Sequence, residues 1–494
     1  MIKIIKQNKL SLAITLAISP IIANAQFSPV VDFNALTPQT GVVINGDTNN
    51  KIASSLASIA DFNGDGIDDI IVNSKHGTST EGDEYYYWDI YKGGAYIVFG
   101  GDHTNGLIEL PQIDSNKGFN IKDNNFTLNY LKNVASAGDI NGDGFDDIIL
   151  SSPGDTYHDD TGSTLRIGGV YILLGRSNNI PTIAEMHSIE TNYHRNTSAD
   201  SIGDVNGDGF DDVLICSSLY NYEDYGNYKR KTSASIIFGS ANGSYNKTQI
   251  TGFNSASYSC STGGKGDING DGINDIILSE KNRTSGVQQN NGAYIIYGKS
   301  NEPFSDIDIN SLDGTNGFIV TNPSPSSLFP QNVDMVGDVN NDGVSDFAFA
   351  VNNSVYVVFG SANGFPTPFD VSTLNGTNGF IFSTGIKVQS AGDVNNDNIN
   401  DILINYYSKT YVIFGKPSQF ANTMNPTDLN GSNGFRIDSD NNSISVSSAG
   451  DFNADGIDDI LVGSPTSGLD NSGKAFVLFG KQQVDLIFNN SFEQ

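Results

Sequence analysis

Short apolar runs rich in Ile, Val, Phe and Tyr alternate with polar, glycine-rich stretches along almost the whole chain. One class of run follows an aspartate: Asp69-Ile-Ile-Val72, Asp147-Ile-Ile-Leu150 and Asp459-Ile-Leu-Val462. A second ends in glycine: Tyr96-Ile-Val-Phe-Gly100, Tyr171-Ile-Leu-Leu-Gly175, Ser235-Ile-Ile-Phe-Gly239, Tyr294-Ile-Ile-Tyr-Gly298, Tyr356-Val-Val-Phe-Gly360, Tyr411-Val-Ile-Phe-Gly415 and Phe476-Val-Leu-Phe-Gly480. A third begins Gly-Phe, at Gly118, Gly317, Gly379 and Gly434, and a fourth is a short polar-apolar run ending Ser136-Ala-Gly-Asp139 or Ser448-Ala-Gly-Asp451. β-Branched and aromatic residues bounded by Gly, Asn, Asp and Ser predict strands. No long stretch carries helical periodicity.

Between the fourth class of run and the first lies an acidic loop. Asp61-Phe-Asn-Gly-Asp-Gly-Ile-Asp-Asp69 has six further copies, starting at Asp139, Asp204, Asp267, Asp338, Asp393 and Asp451, 55 to 78 residues apart. A repeat of this size built from strands predicts a propeller or a solenoid. Four strands per period and seven periods predict an all-β, seven-bladed β-propeller. The seventh period stops at its third strand, Gly480, while the chain opens on an unmatched strand, Gly41-Val-Val-Ile-Asn45. That strand is expected to complete the last blade and close the ring, leaving no large free edge. An open array would leave it unpaired.

The loop chemistry is that of a calcium site. Oxygen-bearing side chains stand at positions one, three, five and nine, with a backbone carbonyl at position seven. The expected ligands are Asp61, Asn63, Asp65, Ile67 and Asp69; Asp139, Asn141, Asp143, Phe145 and Asp147; Asp204, Asn206, Asp208, Phe210 and Asp212. They continue as Asp267, Asn269, Asp271, Ile273 and Asp275; Asp338, Asn340, Asp342, Val344 and Asp346; Asp393, Asn395, Asp397, Ile399 and Asp401; Asp451, Asn453, Asp455, Ile457 and Asp459. Such a cage of hard oxygens suits Ca²⁺ over Zn²⁺ and Mg²⁺. Gly66 serves a turn with positive φ, and Asn398 replaces that glycine in the sixth copy. Position twelve is apolar (Val72, Leu150), so no EF-hand glutamate is present. A metal-free polar turn needs only one or two of these acids.

The period resembles the FG-GAP repeat of the integrin α-subunit N-terminal β-propeller, over about residues 31–480. The acidic loop carries the likeness most specifically. The Gly-Ala-Pro element is loose, as Ser151-Ser-Pro153 and Gly463-Ser-Pro465, and Phe33-Asn-Ala-Leu36 resembles the first integrin strand. The resemblance is to a bacterial secreted relative, because leg domains, a membrane helix and an inserted ligand-binding domain are missing. It implies calcium loops of β-hairpin type and a ligand-engaging face opposite them.

Composition sharpens this picture. Lys3, Lys6 and Lys9, an apolar stretch from Leu10 to Ile22 and Ala23-Asn24-Ala25 are the pattern of a secretory signal over residues 1–25. The propeller is then expected over 26–480 and a short tail over 481–494. The net charge of −30 becomes −33 once that signal leaves, which argues against nucleic acid as a partner. No later apolar run is long enough for a membrane helix. In an exported protein Cys216 and Cys260 are either a disulfide between neighbouring units or two small buried hydrophobes.

Loops joining the second and third strands lie on the face opposite the acidic loops. The first holds Tyr85, Tyr86, Tyr87, Trp88 and Tyr91; the third holds Tyr220, Tyr222, Tyr225 and Tyr228, followed by Lys229, Arg230 and Lys231. These aromatics are the expected anchors for an extracellular protein or glycan, or else cover blade edges. No H-E-x-x-H or G-x-S-x-G motif occurs, and the repeated acids are explained as ligands. Recognition or adhesion without catalysis is therefore the expectation. The alternative is a calcium-dependent polysaccharide lyase or hydrolase, which requires a non-repeating acid, base or His in the central cleft.

Overall fold

The computed structural model describes the chain except residues 1–26, 47–49, 84–85, 123–130, 132, 153–155, 160–161, 166–167, 178–186, 193, 223–227, 254–256, 283–290, 301–303, 322–331, 440–444, 468–471 and 482–494. The expected signal segment and nearly all of the tail lie outside the described residues.

Seven antiparallel blades follow one another around an axis. Blade 1 is Asn50–Ser58, Ile70–Asp83, Tyr86–Val98 and Gly118–Lys122; blade 2 is Asn133–Gly138, Asp147–Ser152, Gly168–Leu173 and His187–Asn192. Blade 3 is His194–Gly203, Asp212–Tyr222, Tyr228–Ile237 and Lys247–Thr251; blade 4 is Ser257–Thr262, Ile276–Asn282, Asn291–Ile296 and Gly317–Thr321. Blade 5 is Asn332–Gly337, Asp346–Val351, Ser354–Val358 and Gly379–Phe382; blade 6 is Lys387–Gly392, Asp401–Tyr406, Lys409–Ile413 and Gly434–Asp438. Blade 7 takes Ser445–Gly450, Asp459–Ser464 and Lys474–Leu478 from the end of the chain and Gly41–Asn45 from its beginning. The first strands of neighbouring blades touch in a closed circle.

Second strands read as unbroken apolar runs because each blade is covered on both faces by its neighbours. Asp147–Ser152, Asp346–Val351 and Asp459–Ser464 are buried at every position. The core is correspondingly divided into seven clusters, one in each gap between blades. The cluster between blades 7 and 1 joins Val42 and Ile44 to Leu56, Val72 and Phe452, so closure is a packing event as much as a pairing one.

Ring closure involves more chain than one strand. Gly41 to Asn45 pairs antiparallel with Lys474–Leu478, as the sequence pattern predicts. In addition, Val30–Asp32 pairs parallel with Gly434–Asp438 of blade 6. Phe27 stacks on Phe435 at 4.2 Å, the place that Phe420 takes on Phe380 (4.5 Å) and Phe365 on Phe318 (4.4 Å). Residues from Phe27 onward thus supply the whole approach to the last blade's outer strand. Phe33–Ala35, which by resemblance opens the first strand, is instead a 3-10 turn at the end of this segment.

Each blade has the expected four antiparallel strands, and most carry one more at the outer edge. Five of the sheets have five strands. The extra strand is short and parallel, such as Ile307–Asp308 beside Lys247–Thr251 or Phe369–Asp370 beside Gly317–Thr321. It comes from the link between third and fourth strands of the next blade and covers the outer edge of the previous one. A separate hairpin, Thr156–Asp159 with Gly162–Leu165, stands beyond blade 2. Cys216 and Cys260 are joined in a disulfide, which ties the second strand of blade 3 to the first strand of blade 4.

Candidate metal centre: a ring of seven acidic loops

Each acidic loop joins the first and second strands of its blade, so all seven lie on one face. Within a loop the acids hold the backbone. Asp61 Oδ1 accepts from the Gly64 and Asp65 amides at 2.7 and 2.9 Å, and Oδ2 from the Gly66 amide at 2.8 Å. Asn63 Oδ1 accepts from the Asp65 amide and Asp65 Oδ1 from the Ile67 amide. The bonds from the position-five and position-six amides recur at Asp139, Asp204, Asp267, Asp338, Asp393 and Asp451, and the position-four amide joins them at Asp139, Asp204 and Asp267. Position six has the left-handed backbone in every copy, from Gly66 at φ 86° to Asn398 at φ 63°. Asn398 therefore does the work of the missing glycine, as expected.

The ninth-position acid has a different task. Asp69, Asp147, Asp212, Asp275, Asp346, Asp401 and Asp459 are wholly buried. One oxygen of each accepts from the amide of the glycine ending the third strand, at 2.7 to 2.9 Å. The other accepts from the second or third residue of its own loop, as Asp147 does from Ile140 and Asp69 from Asn63. That glycine is required because a Cβ on Gly100 would meet the Asp68 carbonyl, and one on Gly415 the Asn400 carbonyl. Burial pushes Asp69, Asp147, Asp212 and Asp459 up to about 8, and Asp275 to about 7. Asp346 and Asp401 also stand well above the usual carboxylate range. In all seven the neighbouring loop acids push the same way.

Positions two and eight, which the sequence pattern did not mark as functional, join the loops into a ring. The residue after each third-strand glycine donates its amide to the position-two carbonyl of the preceding blade. The donors run Arg176 to Phe62, Ser240 to Ile140, Lys299 to Val205, Ser361 to Ile268, Lys416 to Val339, Lys481 to Val394 and Gly101 to Phe452, at 2.7 to 3.1 Å. Position-eight amides donate to position-one carbonyls in six of the seven steps, as Asp211 does to Asp139. At the seventh step, between the first and last loops, Asp68 Oδ2 accepts from the Asp451 amide at 2.8 Å. The signal in sequence was the unbroken apolar character of position two, whose side chains are all buried.

A cation would be held by the oxygens of positions one, three, five, seven and nine. Among the described residues no three His, Cys, Asp or Glu side chains group closely enough to hold a metal by themselves. Asn and carbonyl oxygens would have to complete any shell, which is what the donor set provides. The sixth loop offers a specific sign of fit. Asn395 is buried, and neither of its amide atoms has a well-formed hydrogen-bond partner; burial raises the neighbouring Asp397, and Asn395 offsets only part of that rise. An orphaned buried amide costs stability unless something fills its place.

The expected aromatic anchors fall on two long hairpins of the opposite face. Ile70–Asp83 and Tyr86–Val98 run well beyond the blade, pairing Glu81 with Trp88, Gly82 with Tyr87 and Asp83 with Tyr86; Tyr91 lies on the same strand. Asp212–Tyr222 and Tyr228–Ile237 do the same, pairing Tyr222 with Tyr228 and Tyr220 with Arg230. These segments are therefore β-ribbons and not irregular loops. Tyr85 and Tyr225 lie outside the described residues.

One feature near the axis was not anticipated. Four residues before each loop, on the innermost strand or, for Gly263, just past its end, the chain has Ala57, Ala135, Asp200, Gly263, Asp334, Gln389 and Ser447. Asp200 bonds to Thr262 of the next blade, and Asp334 accepts from the Gly264 amide at 2.7 Å. Crowding by the surrounding strands lifts both to about 7, and the Asp200 charge adds to the effect on Asp334.

The fold and the loop ring together define a closed seven-bladed propeller with one repetitive, acidic face. A family model described as FG-GAP repeat matches residues 133–173 and 444–478, in each case from the first strand of a blade through its third. The chain is thus a β-propeller in which two of the seven blades match the FG-GAP repeat. No curated protein matches the sequence. Among solved structures, sucrose-6-phosphate hydrolase from Lactobacillus gasseri aligns over 95% of this chain and 95% of its own, at 9% identity and a TM-score of 0.30. A structure of TcdB2-TccC3-TEV aligns over 90% of this chain at 8% identity and a TM-score of 0.18, and this chain spans 29% of it. No helix among the described residues is long and apolar enough to cross a membrane.

Proposed function

We propose that this protein is an exported, calcium-stabilised recognition propeller whose loop ring holds Ca²⁺ and whose opposite face binds an extracellular protein or glycan. The observation that carries this reading is the contrast within one ring. Seven loops keep the same oxygen donors, while the hairpins at their other ends differ in length and chemistry from blade to blade. Bound Ca²⁺ would neutralise the crowded loop acids, fill the place beside Asn395, and hold the ring rigid under the variable face. Asp61, Asn63, Asp65, Asp69 and their counterparts would be its ligands. The disulfide between blades 3 and 4 suits an oxidising compartment and so supports export.

The test is binding of the protein from Gln26 onward to an array of glycans and matrix proteins, with calcium and with EDTA. Calcium-dependent binding that is lost in Trp88→Ala or Tyr222→Ala supports the reading. Absence of binding to any spot sinks it.

A second reading, a polysaccharide-active enzyme, has one observation in its favour. Asp200 and Asp334 are non-repeating acids near the axis, held near neutrality as a general acid requires. Release of oligosaccharides from an array polysaccharide, abolished by Asp334→Asn, would move the protein into that class.

A further inference from the structure

We propose that a pocket on blade 6, at the face opposite the loop ring, is a carbohydrate subsite that takes one pyranose ring against Tyr407. This rests on the recognition reading above and adds the place and the ligand class. The pocket is open, about 400 Å³ in volume, and lined by Thr384, Tyr406, Tyr407, Ser408, Lys409 and Tyr411. That volume is in the range of small-ligand sites.

Tyr407 is the informative residue. It sits with Ser408 in the two-residue turn between Asp401–Tyr406 and Lys409–Ile413, where Tyr406 pairs with Lys409. Its φ is 54°, a left-handed conformation that a bulky side chain adopts at a cost. Blade 5 makes a turn of the same length with Asn352 and Asn353, at φ 52° and 62°, residues suited to positive φ. A tyrosine there works against the turn, and it does not go inward to compensate. Tyr407 is 52% exposed, the one aromatic among the exposed large hydrophobics of the described residues. Strain together with exposure points to a role outside folding.

The surroundings fit a sugar. Tyr406 meets Tyr407 edge to face at 4.7 Å and fixes its ring. Asn405 braces the turn from below through the Tyr407 and Lys409 carbonyls. Tyr411 is buried and closes the floor beside Phe382. An exposed aromatic face accepts the apolar C–H face of a pyranose. The hydroxyls of Ser408 and Thr384 and the Lys409 ammonium give hydrogen-bonding groups at its rim, as the hydroxyl edge of a sugar needs.

The experiment is saturation-transfer NMR on the whole chain with methyl glucopyranoside, galactopyranoside and mannopyranoside as probes, repeated on Tyr407→Asn and Tyr407→Gly. Both variants suit the turn, so they keep the fold and their melting temperature stays level or rises. The expected result is transfer to the ring protons of at least one probe, reduced about tenfold or more in both variants. No transfer from any probe, or transfer unchanged in Tyr407→Asn, overturns the proposal. The array described above separates the two claims. Array binding that survives Tyr407→Asn, with pyranoside transfer absent or unchanged in that variant, keeps the recognition reading and refutes this subsite. Pyranoside transfer with no array binding keeps the subsite and refutes the broader reading.

Discussion

The two faces of this propeller are built on opposite rules. On the loop face every blade repeats the same bonds: a first-position acid under the amides of positions five and six, a buried ninth-position acid on the third-strand glycine, and a carbonyl passed to the next blade. On the other face blade 5 ends in an Asn-Asn turn, blade 6 in a strained Tyr, and blades 1 and 3 in long ribbons. Repetition is confined to the side where closure of the ring must be satisfied seven times over. Variation is free where a hairpin only has to turn, and that is where a ligand can be specified.

The sharpest way to break this comparison is to remove calcium. If each site has a Kd of about 0.1 mM and calcium outside is about 1 mM, each adds roughly 1.4 kcal/mol, and seven add on the order of 10 kcal/mol. For a chain of this size that corresponds to a fall of about 10 °C in Tm on adding EDTA, reversed by excess calcium. A scanning calorimeter reads it directly, and an unmoved transition counts against the loop ring as a metal centre.

Next in size is the inter-blade disulfide. Cys216 and Cys260 are 44 residues apart, so Cys216→Ser with Cys260→Ser should cost about 4 kcal/mol by loop entropy. The acidic positions should then separate by role. Asp401→Ala strips partners from the buried Val394 and Gly415 amides and should cost about 2–4 kcal/mol even without calcium. Asp397→Ala removes a single acceptor, for Ile399, and should cost about 1 kcal/mol in EDTA and more with calcium present. Denaturant titrations in both conditions check the pair; equal costs throughout would merge the two roles.

The smallest expected effect is on pH. The folded protein holds the protons of Asp200 and Asp334 up to about 7, against an ordinary 3.8. A raised carboxylate gives stability that is present in full below about pH 4 and lost as pH rises through 7. Both side chains keep some solvent contact, so the effect is muted. Asp200→Asn with Asp334→Asn should flatten the decline between pH 5 and 7.5 by about 1–3 °C in Tm. An unchanged slope would show that the two acids titrate normally.

Much of this was legible in the sequence because it repeats. Seven Asp-x-Asn-x-Asp loops and seven glycine-ended strands give the blade count, and Gly41–Asn45 betrays closure because blade 7 lacks an outer strand. What escaped has physical reasons. The bonds from Arg176 to Phe62 and from Asp211 to Asp139 join backbone to backbone, so side-chain identity records them only as an apolar position two. The short parallel strands, such as Ile307–Asp308, gain their meaning from a neighbouring blade's edge. Asp200 and Asp334 look like ordinary polar strand residues until the seven innermost strands are set side by side. Tyr407 is one tyrosine among 21, and only its φ and exposure mark it out.

The central claim is that the loop ring is a calcium centre and not a set of self-satisfied turns. Equilibrium dialysis of the folded protein against calcium tests it most directly, with Asp393→Asn as the comparison. About seven ions bound per chain, falling by one in the variant, is the predicted result. A chain that remains folded and binds no calcium at millimolar concentration would contradict the account.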